Sequence, residues 1–214
     1  NTLHQKNILL IDNRVVSWDN KRRKTPKKEI AMRIITGSAR GARLQTLEGN
    51  DVRPTPERVK EALFSILQFR LEGRRFLDLF TGSGQIGLEA LSRGAREAVM
   101  VDASRASLDV AMKNAERTRL DKQAVFELAQ AEGYLRRRPG PFDLAFLDPP
   151  YRTGVLQRVL PLVAQEMSPA GTIVCEHPSD EVLPESAGDF IKHREYKYGK
   201  VMLTVYERKT EAHV

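Results

Sequence analysis

The chain has 214 residues, 41% hydrophobic and 29% charged, the composition of a globular protein able to bury a sizeable core with a small appendage. No apolar run approaches the ~20 residues that a bilayer crossing needs, and no signal-peptide pattern is present. The single cysteine excludes an internal disulfide and fits a reducing cytoplasm. The net charge of +7 is uneven: residues 1–75 carry 17 Lys and Arg against 8 Asp and Glu, the remainder 18 against 20. That asymmetry favours a phosphate-rich polymer as partner, without separating RNA from DNA.

Residues 1–31 differ from the rest. "NILLIDNRVVSW" fits a hairpin about Asp12-Asn13, and "KRRKTPKK" is a charge run typical of a linker. The compact protein is expected to start near Met32, with residues 1–31 an extension or cloning remnant, poorly ordered. "RIIT" and "ARLQTL" then read as two short strands. "RPTPERVKEALFSILQF" reads as a helix with Thr55 as N-cap, Pro56 at the first helical position and an apolar stripe of Val59, Ala62, Leu63, Ile66 and Leu67. Strands follow near 76–80, 98–102, 124–128, 142–147 and 171–175. Helices lie between them near 84–93, 105–118 and 155–166, with a shorter one at 131–137. Such alternation means an α/β fold, a parallel sheet with helices on both faces. The chain closes on an antiparallel hairpin through Tyr198-Gly199-Lys200. Three segments result: 1–31, a small amino-terminal hairpin and helix at 32–75, and a main domain at 76–214.

"FLDLFTGSGQIGLEAL" carries a strand into a helix through Gly82, Gly84 and Gly87, a G-x-G-x-x-G pattern. Glycines let the backbone turn tightly and approach a ligand, while the helix amino terminus offers free N–H donors. Asp102, twenty residues after Gly82, stands where an acid grips a ribose hydroxyl. This much fits a dinucleotide enzyme. Asp78 shifts the balance, because a carboxylate inside the apolar strand needs a partner and would repel a pyrophosphate. An ammonium-bearing ligand would be held by it, which favours S-adenosylmethionine.

At the end of the strand at 142–147 stands Asp148-Pro149-Pro150-Tyr151. In a doubly wound sheet this loop faces the same crevice as the glycine loop. The prolines remove two N–H groups and leave an edge of acceptors, the Asp148 carboxylate and the Pro149 carbonyl. That edge suits a planar amine, and Tyr151 offers a face for stacking. Two acceptors on an exocyclic amine favour its pyramidalisation and free its lone pair for a direct methyl transfer. Asp148 would orient the amine and take its proton, directly or late in the step. The chemistry leaves adenine and guanine both open.

The motifs together closely resemble one family. "MRIITGSARGARLQTL", "RPTPERVKEALFSIL", "FLDLFTGSGQIGLEALSRGA" and "FDLAFLDPPY" are similar to the bacterial 16S rRNA (guanine(966)-N2)-methyltransferases, the small-subunit rRNA methyltransferase D family, over about residues 32–207. The resemblance implies a class I methyltransferase fold. It also implies methyl transfer from S-adenosylmethionine to guanine N2 in 16S rRNA, within an assembling small subunit in the cytoplasm. By position, Asp78, Phe80, Gly82 and Gly84 would hold the methionine part, with Thr55 approaching its end. Asp102 would bind the ribose, and Ala131 would lie near the adenine. Arg53 and Arg58 would meet cofactor or RNA, while Asp148, Pro149, Pro150 and Tyr151 would hold the target guanine. Thr81 and Gln85 depart from the small residues expected in the loop. A monomer without a metal is expected, since His177 has no metal-ligand spacing around it. Cys175 reads as a buried strand residue, and Arg136, Arg137 and Arg138 as a solvated face. The alternatives are an adenine-N6 methyltransferase acting on DNA or RNA, a dinucleotide oxidoreductase, and a non-catalytic RNA-binding assembly factor.

Overall fold

The computed structural model describes residues 8–11, 14–17, 32–47 and 56–209. The chain divides into two units, Asn1–Ile30 and Ala31–Val214. In the first, β1 (Ile8–Ile11) pairs antiparallel with β2 (Arg14–Ser17) in the register Leu9 to Val16, as the apolar pattern predicts; Asp12 and Asn13 lie outside the described residues.

In the second unit, α1 spans Glu57–Ile66. It starts one residue later than the sequence implies. Pro56 takes the cap position, its ψ of 141° keeping it extended, while its carbonyl accepts the first helical bonds from Val59 and Lys60. The helix buries Val59, Lys60, Leu63 and Phe64.

The two strands expected at 33–36 and 42–47 reduce to a single bridge between Arg33 and Arg43. The N–H groups of Ile35 and Thr36 are taken instead by the carboxylate of Glu89, at 2.7 and 3.0 Å. Ser92 binds the same segment through three contacts: its carbonyl accepts from Ser38 N, its Oγ accepts from Ala39 N, and its Oγ donates to the Thr36 carbonyl. Asn114 clasps both backbone groups of Gln45. Gly37 sits against Ser92 so closely that a Cβ there would fall 1.7 Å from the Ser92 carbonyl oxygen. Buried polar side chains thus fasten residues 32–47 to the main fold. Lys60, 2% exposed, joins them by donating to the Arg33 carbonyl at 2.6 Å and lying 3.8 Å from Glu89.

Strands and helices then alternate: β3 (Arg75–Asp78), α2 (Gln85–Ser92), β4 (Glu97–Asp102), α3 (Arg105–Thr118), β5 (Ala124–Leu128), α4 (Ala131–Leu135), β6 (Phe142–Leu147), α5 (Val155–Gln165) and β7 (Met167–Pro178). The chain ends with β8 (Ser186–Ala187), β9 (Phe190–Tyr198) and β10 (Val201–Arg208). β3 stops at Asp78 rather than residue 80, because Leu79 and Phe80 already belong to the turn. β7 is more than twice the expected length because it is paired on both edges, parallel to β6 and antiparallel to β10. The two-residue β8 has no signal in the sequence pattern.

The sheet order is β5-β4-β3-β6-β7-β10-β9-β8. The first five strands are parallel, and the closing hairpin inserts β10 between β7 and β9. Connections run one way from β3 to β4 and β5, and the other way to β6 and β7. A crevice therefore opens at the carboxyl ends of β3 and β6, the switch point where such sheets bind ligands. Alternation sends Phe76, Leu144, Phe146 and Val174 to one core, with α1 and α2, and Leu77, Ala145, Leu147 and Cys175 to the other, with α5.

Candidate active site

The crevice begins with the loop between β3 and α2. Gly82 and Gly84 have φ of +54° and +81°, a conformation that residues with a Cβ rarely adopt. A Cβ on Gly84 would crowd Ala111, whereas one on Gly82 would meet nothing within 4 Å. The backbone at Gly82 therefore borders open space into which a ligand can press. Gly87 is needed for packing, since its Cβ would lie 2.7 Å from Met100 Cγ.

Asp78 closes β3 and is 2% exposed. Its Oδ2 accepts from Thr81 Oγ1 at 2.7 Å and from the Gly87 N–H at 2.9 Å. The first of these accounts for threonine at position 81, where a smaller residue was expected. Burial pushes the Asp78 carboxyl up to about 6, although both hydrogen bonds pull it down. A cation brought to this carboxylate would relieve that penalty. Asp102, ending β4, accepts the Gly82 N–H on Oδ2 and the Ser104 N–H on Oδ1, at 2.9 and 2.8 Å. It braces the glycine loop and the start of α3, and its oxygens keep lone pairs for a hydroxyl. Phe80 packs half-buried against the core cluster that holds Ala131, the first residue of α4.

Across the switch point stands the loop after β6. Asp148 is partly exposed, Pro149 buried, Pro150 exposed, and Tyr151 38% exposed. Thr153 Oγ1 donates to the Pro150 carbonyl at 2.7 Å, which turns that acceptor into the loop. The Tyr151 hydroxyl donates to Glu176 Oε1 at 3.0 Å. Pro149, Pro150, Tyr151, Glu176 and His177 line one small cleft.

Glu176 escaped the sequence reading. It is 2% exposed near the end of β7. The signal was available: an acid at the end of an apolar strand run, as at Asp78. His177 has both ring nitrogens engaged, with Pro178 and Thr204, and burial lowers its pKa. Cys175 is fully buried with its thiol pushed up, which suits a core residue. Arg137 and Arg138 pair with Glu127 and with Glu166 on their own fold, leaving Arg136 as solvated surface. Arg58 is exposed on α1 and makes no ion pair among the described residues, while Arg53 and Thr55 lie outside them. No cluster of three or more His, Cys, Asp or Glu is arranged to hold a metal ion among the described residues.

Sheet order, switch-point crevice, glycine loop and acid-ended strands define a class I methyltransferase fold. The same fold is seen in an RNA methyltransferase of Salinibacter ruber solved with S-adenosyl-L-homocysteine, at TM-score 0.60 and 16% identity over 75% of this chain and 96% of that one. Nearer relatives fix the family. The family described as conserved hypothetical protein 95 matches residues 32–207. The ribosomal RNA small subunit methyltransferase D of Escherichia coli is 32% identical over 84% of this chain and 91% of its own length. YlbH of Bacillus subtilis is 36% identical over 83% and 100%. The solved structure of Escherichia coli YhhF superposes at TM-score 0.76, with 33% identity over 84% of this chain and 98% of that one. The chain belongs to this family, that of the bacterial small-subunit rRNA methyltransferase D.

Proposed function

We propose that the chain transfers a methyl group from S-adenosylmethionine to the exocyclic N2 amine of a guanine, of the position 966 type, in 16S rRNA of the small ribosomal subunit. The observation that carries this reading is the placing of the Asp148-Pro149-Pro150-Tyr151 loop at the end of β6, the strand paired with β3, which ends on the buried Asp78 before the open backbone of Gly82. The named relative acts, by its name, on the small-subunit rRNA. The basic residues at 1–75 suit an RNA partner, with 32–75 as the RNA-binding part.

S-adenosylmethionine, when bound, supplies an electrophilic methyl group on a sulfonium. Asp78 holds an ammonium beside the glycine loop, and Asp102 accepts from ribose hydroxyls. Thr55 is assigned to holding the methionine end, and Ala131 to the neighbourhood of the adenine. Tyr151 stacks on a base withdrawn from its strand, a contact worth ~1–3 kcal/mol. The Asp148 carboxylate and the Pro149 carbonyl accept the two amine hydrogens and draw the nitrogen toward a tetrahedral shape. The methyl that bound S-adenosylmethionine would supply is received by this nitrogen, the sulfur keeping the electron pair of the C–S bond. Asp148 then takes the displaced proton and passes it to solvent. No covalent bond to the enzyme is needed. Arg53 and Arg58 meet cofactor or RNA, and the protein works as a monomer in the cytoplasm.

The test uses labelled S-adenosylmethionine and small subunits lacking their own methylation, with the labelled nucleotide mapped afterwards. Label on N2 of one 16S guanine is expected. Label on an adenine, or none on 16S rRNA, overturns the proposal.

A further inference from the structure

The proposed mechanism leaves one buried polar side chain without a task. Asn114 lies on α3, 0% exposed, with its amide oxygen and both amide hydrogens engaged. Its Oδ1 accepts the Gln45 N–H at 2.7 Å, while Nδ2 donates to the Gln45 carbonyl at 3.0 Å and to the Ser83 carbonyl at 2.9 Å. Two carbonyls can be met only by the NH2 end, so the partners fix which way the amide points. Fastening residues 32–47 accounts for the two bonds to Gln45. It does not account for the third, which goes to the middle of the glycine loop. That bond completes a set of anchors. The Gly82 N–H is held by Asp102 Oδ2, the Gly84 N–H by the Thr81 carbonyl at 2.9 Å, and the Gly87 N–H by Asp78 Oδ2. Ala111, one turn before Asn114 on the same face of α3, sets the close approach of Gly84, whose Cβ would fall 3.0 Å from the Ala111 Cβ. Ser83 Oγ donates to Met32 Sδ at 3.4 Å. Met32 directly, and Gln45 through Asn114, thus reach the same residue of the loop.

We infer that Asn114 is a positioning residue for the methyl donor: by gripping the Ser83 carbonyl it holds the Gly82-Ser83-Gly84 backbone in the shape that receives S-adenosylmethionine. The inference rests on the proposed cofactor site at this loop. With φ of +54° at Gly82 and +81° at Gly84, the loop is built on the residue type with the widest backbone freedom. That freedom must be given up when a ligand is bound, unless the loop is already fixed. Asp102 fixes the N–H of Gly82, and the Asn114 and Thr81 bonds fix the two ends of the Ser83–Gly84 peptide. The backbone at Gly82, which borders open space, is thereby held between anchors. Removing the Asn114 amide frees the Ser83–Gly84 peptide to rotate and leaves a buried carbonyl unpaired. The effect therefore falls on cofactor affinity as well as on stability. That separates positioning from fastening.

The experiment compares Asn114→Ala with Ser92→Ala by calorimetric titration with S-adenosylhomocysteine and by urea unfolding. Ser92 is the matched control. It is 3% exposed, its Oγ bonds Thr36 and Ala39 of the same segment, and it closes α2 at the opposite end from the glycine loop. Both variants are expected to unfold at lower urea than the unaltered protein. Asn114→Ala should bind S-adenosylhomocysteine about 10–100-fold more weakly, the cost of a misplaced binding backbone. Ser92→Ala, remote from the loop, should keep its affinity within about twofold. A folded Asn114→Ala protein that binds as tightly as the unaltered one overturns the inference. So does an equal loss of affinity in Ser92→Ala, which would trace the effect to the fastening of residues 32–47. A second measurement needs no variant. In unaltered protein labelled at asparagine, the two Asn114 Nδ2 hydrogens give their own NMR signals. Saturating S-adenosylhomocysteine should shift the signal of the hydrogen on the Ser83 carbonyl more than that of the hydrogen on Gln45. Signals that do not move overturn the inference even if Asn114→Ala fails to fold. Absence of S-adenosylhomocysteine binding by the unaltered protein is a different result: it removes the cofactor reading of the glycine loop, and this inference with it.

Discussion

Asp78→Asn separates what the proposed cofactor pocket costs from what it does. The Asp78 side chain is 2% exposed, and burial raises its carboxyl from 3.8 to about 6 despite the opposing bonds from Thr81 and Gly87. A displacement of that size makes the charge cost about 3 kcal/mol at neutral pH relative to a solvated carboxylate. Asparagine removes the charge, and its oxygen still accepts from Thr81 Oγ1 and the Gly87 N–H. Its amide hydrogens then become buried donors, which returns about 1–2 kcal/mol of the gain. A net stabilisation of about 1–2 kcal/mol remains, or roughly 2–8 °C in Tm for a protein of this size. The pH dependence follows from the sign of the displacement. The folded state holds this proton more tightly than the unfolded chain, so the contribution of Asp78 to stability falls as pH rises from about 4 to about 6 and is level above that. The advantage of Asp78→Asn should therefore be absent near pH 4, grow through pH 6 and be complete at pH 7. Paired thermal melts across that range measure it, because taking the difference cancels groups common to both proteins. Calorimetric titration with S-adenosylhomocysteine should show binding at least about tenfold weaker in the variant, since the ammonium loses its counter-charge. A Tm difference that does not vary between pH 4 and 7, or a variant less stable than the parent at pH 7, refutes the reasoning.

Asp148→Ala should lower the rate of methyl transfer by about 10²–10⁴-fold and leave S-adenosylhomocysteine affinity within about threefold; retained transfer in a labelled-methyl assay would remove Asp148 from the chemistry. Gly37→Ala should destabilise by about 3 kcal/mol or more in urea melts, because its Cβ would fall 1.7 Å from the Ser92 carbonyl oxygen at a φ of +86°. Lys60→Met removes the donor to the Arg33 carbonyl and the nearby cation of fully buried Glu89. With Arg93 and two backbone N–H groups still on Glu89, a loss of about 2–3 kcal/mol is expected, and a change below about 0.5 kcal/mol would show that the lysine is dispensable. Titration with NAD in place of S-adenosylhomocysteine should give no heat, and binding of NAD alone would restore the dinucleotide reading of the glycine loop.

The amino-acid sequence by itself determined everything that depends on a few neighbouring residues. Hydrophobic periodicity located the parallel strands and the long helices. Gly82 and Gly84 announced a turn that only positive φ allows, and the prolines after Asp148 announced where β6 stops. Asp78 declared itself as a carboxylate in an apolar strand, and Asp102 by its spacing from the loop. What the tertiary structure decided involves partners far apart in the chain. "RIIT" has the composition of a strand, yet Glu89, more than fifty residues away, captures its N–H groups, so residues 32–47 are held as a loop on α2. β7 extends beyond its apolar core because β10 pairs along its second edge. Glu176 carries the same local signal as Asp78, but its partner comes from the tertiary structure: it accepts from Tyr151, 25 residues earlier. Local backbone chemistry is written in adjacent residues and can be read there. The meeting of two strand ends is fixed only when the whole sheet closes around its core.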